Sequence, residues 1–512
     1  MIAALEALRH PKSVPPKIGA ARIAPTKAAP IYSCVMHNRA FEQRCAVRGN
    51  SGRGTLTEFA GERLRQRGLT NMWLKLRVAS ILLVLVLVLL CLSALGEDAW
   101  MFRGDAAHGG VYAGAGIAKF SGVQWKFHTG GMLIGSPSVS DGKVYFGSTD
   151  GNLYAVDAGS GALRWKFEAK SRIPSSPAVG GGIVYFGAYD GNFYAVDAST
   201  GALKWKFQTG GERRFAGKHL HGVQPVSETM PDPFDCYLSS PVVWKGAVYF
   251  GSGDGNVYSL NAASGALNWK FKTGDVVHAS PAIADGAVFI GSWDSYFYAI
   301  DAATGQEKWR FKTGEDPDTH NQVGIQSSAA VANGTVYFGC RDSHLYALDA
   351  ATGQKKWAVG TDGSWVVASP ALKDGKVYFA TSDSSLVYAL DARSGAVLQS
   401  AGLNHWYLYS SPAIAGNMMY IGSTQGKLVA MDLDGYKTAW AFETDGMKEH
   451  GAAYTKADGA PNNDAIYRSD FYDDMVAGVD KVMSMGAIIS SPVVVGNVIY
   501  VGSADGNLYA LK

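Results

Sequence analysis

Six side chains occupy comparable places in this sequence and could do chemistry together: Arg172, His278, Gln326, Trp365, Tyr407 and Tyr409. Each precedes, by a few residues, a short segment of the form (S/A/G)-S-P or its Ser-Ser-Ala variant. A cation, an imidazole, an amide and three aromatic rings gathered at one concavity would hold a ligand by stacking and a few directed hydrogen bonds. These six are therefore the predicted ligand-binding residues. They do not indicate metal chemistry, because a lone His278 lacks the Cys/His partners at close spacing that zinc requires. The sequence also has no nucleophile motif, phosphate-binding loop or haem-attachment C-x-x-C-H, and no catalytic residue is assigned.

The elements that must position these residues are copies of one unit. Their openings fall at Pro137, Pro177, Pro241, Pro281, Pro370, Pro412 and Pro492, with Ala329 replacing proline in the fifth, and the closest spacings are 40–42 residues. The stretch 175–207 shows the unit whole: S-S-P-A-V, then Ile183-Val184-Tyr185-Phe186-Gly187, then Asn192-Phe193-Tyr194-Ala195-Val196, then Leu203-Lys204-Trp205-Lys206-Phe207. Short β-branched and aromatic runs separated by Gly or Asp-Gly predict four strands per copy. The runs barely alternate between apolar and polar, so both faces of these strands are expected to be covered, as in a blade between two neighbours. Seven copies are complete; the eighth stops at Lys512 after three strands, and an isolated Trp125-Lys126-Phe127 precedes the first. Joining those ends removes exposed sheet edges. The predicted fold is all-β: an eight-bladed β-propeller of four-stranded antiparallel blades over residues 123–512, the last blade closed by an N-terminal strand near Trp125.

Within the copies, the pattern A-x-D-x-x-(S/T)-G-x-x-x-W runs through 155–165, 195–205, 299–309 and 347–357, and more loosely through 259–269. Here the chain resembles the pyrroloquinoline quinone (PQQ) repeat family, whose tryptophan-docking motif has the form AxDxxTGxxxW. Gly161 would permit the left-handed turn, Asp157 would cap its backbone, and Trp165 would fill the gap between blades. The pattern breaks at Gln399 and at Leu433-Asp434-Gly435, so weaker docking is expected in the sixth and seventh blades.

Long insertions separate the last strand of one copy from the first of the next, at 210–238, 314–325 and 443–489, and should crowd one mouth of the channel together with the six residues above. The first carries Arg213, Arg214, Lys218, His219 and His221, and the second His320 and Asn321. The third carries His450 and the acidic group Asp470, Asp473, Asp474 and Asp480. That group is expected to be a solvated polar loop; its carboxylates would suit calcium, but their spacing fits no known calcium loop. The Asp-Gly pairs at Asp150, Asp190, Asp254 and Asp505 form a ring of carboxylates on the same face, yet Asp-Gly is the preferred hairpin turn and explains them without a ligand.

Composition bounds the rest. With 47% hydrophobic content the 512 residues can bury a large core. Residues 1–71 hold twelve Lys/Arg against Glu6, Glu42, Glu58 and Glu62, lack a hydrophobic period and are expected to be a disordered tail or a mis-assigned start. Lys75 and Arg77 then precede the uncharged run 78–95 and a small-x-small Ala94-Leu95-Gly96. Residues 72–96 thus read as a secretory signal peptide, or as a membrane anchor if uncleaved. Residues 97–122 form an approach segment. The mildly acidic body beyond it gives no reason to expect nucleic acid. Cys236 and Cys340, the cysteines of that body, sit two repeats apart and are not expected to pair.

The family resemblance implies two classes of function. Quinoprotein dehydrogenases hold PQQ and calcium, with the quinone between a tryptophan floor and a disulfide of adjacent cysteines and Asp, Glu and Asn on the metal. Non-enzymatic relatives look like the propeller lipoprotein of the outer-membrane β-barrel assembly machinery, a scaffold. This sequence has no adjacent cysteines and its carboxylates match none of those ligands, although Trp365 could serve as a floor. The expected function is a binding and scaffold propeller, periplasmic or otherwise extracytoplasmic, with an envelope protein or a small-molecule ligand as partner and no cofactor established. The alternative is a PQQ-dependent oxidoreductase acting on an alcohol or sugar.

Overall fold

The repeats build the sheets that their sequence demands. A computed structural model describes residues 98–314, 324–403 and 405–512; the second insertion's His320 and Asn321, and everything expected of residues 1–96, lie outside them. Blade one runs from the channel outward through Ser138–Ser140, Lys143–Gly147, Asn152–Asp157 and Leu163–Glu168, each antiparallel to the last. Six blades repeat that order, the seventh with a fifth, innermost strand, Val111–Tyr112, parallel to its strand Ala413–Ala415. The eighth takes Val493–Val495, Val498–Gly502 and Asn507–Leu511 from the C-terminus and its outer strand, Val123–His128, from the N-terminal side. Val123 pairs with Leu511, Trp125 with Ala510 and His128 with Asn507, so the expected closure is the observed one. An eight-bladed ring has no exposed first or last blade.

Burial explains the sequence runs. The second strand of blade three, Ala247–Gly251, is buried at every residue, whereas its outer strand Leu267–Lys272 alternates. In six blades the indole of the outer strand meets the next blade: Trp165 Nε1 donates to Ala198 O at 3.1 Å, and Trp269 Nε1 to Ala302 O at 3.0 Å. Gly201, at φ +74°, lies so close beneath Trp165 that a Cβ there would stand 2.6 Å from the ring. Blade six has Gln399 in place of the indole, and its outer strand is mostly exposed. Blade seven keeps Trp440, which donates instead to Ile117 O at 2.8 Å and stacks on Phe120.

A closed ring of serines encircles the axis where the inner strands begin. Ser136 N donates to Ser176 Oγ, Ser176 N to Ser240 Oγ, Ser240 N to Ser280 Oγ, and Ser280 N to Ser328 Oγ, at 2.8–3.1 Å. The ring continues through Ser369, Ser411 and Ser491, whose N returns to Ser136 Oγ at 2.8 Å. The S-S-P signature is thus the inter-blade latch of the channel wall.

The approach segment crosses the mouth at the far ends of the inner strands. Carbonyls of Ala99, Trp100, Ala106, Ala107, Gly109 and Gly110 accept from Val139, Val179, Ile283, Val331, Leu372 and Ile414, one residue in each of six blades. Arg103, 1% exposed, donates from Nη1 to Pro412 O at 2.6 Å and from Nη2 to Pro370 O at 2.8 Å. Burial lowers its pKa to about 10.

The largest insertion is not the polar loop expected. It folds into helices α1 (Asp445–Tyr454), α2 (Asn463–Ile466) and α3 (Tyr472–Ser484). Thr444 caps α1 by accepting from Met447 N, and Met475, Val479 and Val482 give α3 an apolar stripe at helical spacing. Ile466, Val482 and Met485 pack with Trp406. Asp473 and Asp474 lie in the first turn of α3, where carboxylates suit the helix dipole.

Candidate functional site

At the other mouth, insertion one enters the channel. The segment 231–238 descends into it with Asp232 and Asp235 both at 0% exposure. Carboxylates buried so deeply need partners, and they find them on Arg341 of the fifth blade, on His278 at the entry to the fourth and on the insertion itself. Asp232 Oδ2 takes Arg341 Nη1 at 2.5 Å, and its Oδ1 faces His221 Nε2 at 3.1 Å. Arg341 also donates from Nε and Nη2 to Gln326 Oε1, and Gln326 Nε2 donates to Phe234 O at 3.1 Å. Burial alone would raise the Asp232 carboxyl, but the Arg341 charge and then His221 hold it well below the ordinary carboxylate range.

Arg341 is the centre of a stack. Its guanidinium carbon lies 4.4 Å from the ring centroid of Trp293 on one side and 4.4 Å from that of Trp365 on the other. Phe215 stacks on the far side of Trp293 at 4.4 Å and 9°, and His221 meets Trp365 at 5.3 Å. Both indoles are at least nine-tenths buried, which makes each cation–π contact stronger than at a wet surface.

His278 fastens the two ends of the same insertion. Its Nδ1 lies 2.7 Å from Asp235 Oδ1 and its Nε2 3.6 Å from Glu212 Oε2. Asp235 Oδ2 also accepts from Phe215 N at 2.6 Å. Glu212 accepts from Ser252 Oγ at 2.8 Å and from Gly253 N at 2.6 Å. Burial disfavours the imidazolium, but the charge and hydrogen bond of Asp235, reinforced by Glu212, outweigh it and raise His278 to about 10. His278 is therefore a cation at neutral pH. Gly253 makes room for Glu212, since a Cβ there would lie 2.6 Å from its carboxylate oxygen.

The six predicted residues are distributed unevenly. His278, Gln326 and Trp365 hold the inserted segment, and the Tyr409 and Tyr407 rings stand 6.1 and 6.3 Å from Phe234. Tyr237 OH donates to the carbonyls of Tyr409 and Ile489. Arg172 stands apart, exposed, over the ring of Tyr189. Sequence reasoning missed Glu212, Asp232, Asp235, Trp293 and Arg341. A signal existed: the residue preceding the turn aspartate reads Thr149, Tyr189, Gly253, Trp293 and Arg341 in the first five copies, a mouth-facing position that varies while its neighbours do not. The turn aspartates themselves are satisfied locally, Asp254 by Tyr258 OH, Asn256 and Gly210 N. Insertions one and three are strapped together by Gln224 N to Asp470 O, Tyr472 N to Gln224 O and Tyr472 OH to Pro231 O, at 2.6–3.0 Å.

What is left on the axis is a cavity of about 40 Å³, between Phe102 of the approach segment and Tyr237, Leu238, His278 and Gln326, with the serine ring as its wall. It has room for about three water molecules. Among the described residues no three His, Cys, Asp or Glu side chains gather as a metal site, Cys236 and Cys340 are unpaired, and no helix is long and apolar enough to cross a membrane.

The family described as outer membrane protein assembly factor BamB matches residues 96–231, 237–441 and 342–512. Among solved structures, BamB from Moraxella catarrhalis is 17% identical over 77% of this chain and 100% of its own, with a TM-score of 0.57. A quinohemoprotein alcohol dehydrogenase from Comamonas testosteroni is 14% identical over 81% of this chain and 80% of its own, with a TM-score of 0.59. A europium-containing methanol dehydrogenase is 14% identical over 81% and 98%, with a TM-score of 0.57. At these identities the likeness is one of fold. No curated protein sequence matches the chain.

Proposed function

Since the chain belongs to the family of the outer membrane protein assembly factor BamB, we propose that it acts as an extracytoplasmic protein-binding scaffold of the cell envelope, delivered by the segment 72–96. The observation that carries this reading is the filled mouth. A ligand pocket for a drug-sized molecule occupies roughly 300–1,000 Å³, whereas the axial cavity here is about 40 Å³. The space between the indoles of Trp293 and Trp365 holds the chain's own Arg341.

The residues present do not fit PQQ with calcium. Glu212, Asp232 and Asp235 are each committed to protein donors, and no disulfide of adjacent cysteines can form from Cys236 and Cys340. Trp365, the suggested floor, is covered by Arg341 on one side and met by His221. A propeller closed at both mouths offers its outer surface and its strapped insertions for binding, which suits a protein partner. Cross-linking in intact cells, followed by mass spectrometry, tests the reading. Cross-links to integral outer-membrane proteins or their assembly partners are expected. Dye-linked oxidation of an alcohol or sugar by the purified protein supplied with PQQ and Ca²⁺ would overturn it.

A further inference from the structure

The serine ring leaves eight hydroxyl protons unaccounted for. In Ser136, Ser176, Ser240, Ser280, Ser328, Ser369, Ser411 and Ser491, Oγ accepts the backbone N–H of the neighbouring blade. None of these hydroxyls has an acceptor of its own among the described residues, and none of the eight residues is more than 5% exposed. A hydroxyl that accepts one hydrogen bond can still donate its proton to a partner within reach. All eight line the axial cavity of about 40 Å³.

No Asp or Glu side chain lines the cavity. His278 lines it, its Nδ1 2.7 Å from Asp235 and its Nε2 3.6 Å from Glu212. Gln326 Oε1 is already taken by Arg341, and Tyr237 OH gives its proton to main-chain carbonyls. Below the ring, Arg103 is a buried guanidinium with no carboxylate in contact. It is held by the carbonyls of Pro370 and Pro412, which directly follow two ring serines, and its Nε is unpartnered. Asp235 and Glu212 oppose a negative guest, but both face the imidazole of His278 and are hydrogen-bonded elsewhere. Water filling the cavity would bring two protons per molecule into a space already rich in donors. An anion brings acceptors alone.

We propose that the cavity inside the serine ring is a binding site for a small inorganic anion of halide size, held by the serine hydroxyls. The site lies on the axis, where one ion touches several blades at once and so couples to the closure of the whole ring.

The test uses the full chain crystallised and soaked in bromide, with anomalous diffraction recorded at the bromine edge. One anomalous peak inside the ring is expected. Water density there, or peaks confined to the surface and therefore an adventitious ion only, would overturn the proposal. In solution, exchanging gluconate for chloride or bromide at constant ionic strength should produce a saturable rise in the unfolding midpoint, absent in Ser280→Ala/Ser328→Ala. A monotonic, non-saturating salt effect identical in both proteins would contradict it. If the double variant does not fold, the bromide density of the unaltered chain still decides.

Discussion

Replacing Arg341 with methionine removes the group that the mouth is assembled around. The side chain is 1% exposed and its partner Asp232 is 0% exposed, so the variant leaves a carboxylate deep in protein with only His221 and Phe234 N beside it. Breaking a buried pair in this way costs about 3–5 kcal/mol. Stacking on two desolvated indoles contributes up to about 2 kcal/mol per face, but methionine recovers part of that packing, and these effects are not additive. A net loss of about 3–5 kcal/mol is expected in denaturant titration followed by tryptophan fluorescence. Adding Asp232→Asn should recover at least about 2 kcal/mol of it, because the stranded charge is then gone. The acid limb offers an independent readout. The Asp232 carboxyl is held well below its ordinary value of 3.8, so its stabilisation is present above that value and disappears as pH falls through the folded one. In Arg341→Met burial raises that carboxyl instead, so its share of the acid loss should shrink and stability should depend less steeply on pH below 3.8. A cost below about 1 kcal/mol with an unchanged acid limb would refute the arrangement described for the mouth.

Three further outcomes follow from the same geometry. His278 is raised from 6.5 to about 10, so its contribution is complete below 6.5 and lost as pH rises through about 10; urea midpoints from pH 6 to 10 should decline in the native protein and stay flatter in His278→Gln. Gly253→Ala should push Glu212 aside, because the new Cβ would stand 2.6 Å from its oxygen; faster proteolytic nicking within 212–238, with the blades still folded, is the expected result. Gly201→Ala combines a φ of +74° with a Cβ 2.6 Å from Trp165 and should destabilise the protein by about 1–3 kcal/mol in thermal or chemical unfolding.

The fold was legible because a repeat states its own period. Even the ring closure could be inferred, since Trp125-Lys126-Phe127 and the truncated eighth copy are two halves of one blade. The six candidate positions were found by alignment of the copies, and five of them do surround the inserted segment. What they surround was not legible. Asp232 and Asp235 lie in a stretch without periodicity, and burial of two carboxylates is a tertiary fact that only Arg341 and His278 explain. The approach segment was recognised at 97–122 but its role was not legible, for a different reason: it binds six blades through main-chain carbonyls, which every residue type possesses. The helices of insertion three did leave a trace in Met475, Val479 and Val482, masked by the acidic residues among them.

The central proposal is that the channel mouth is filled by the protein's own chain and takes no flat organic cofactor. Calorimetric titration of the purified protein with PQQ in the presence of Ca²⁺ tests it most directly. The account predicts no saturable heat and no change in the fluorescence of Trp293 and Trp365; stoichiometric binding, with quenching that Arg341→Met enhances, would contradict it.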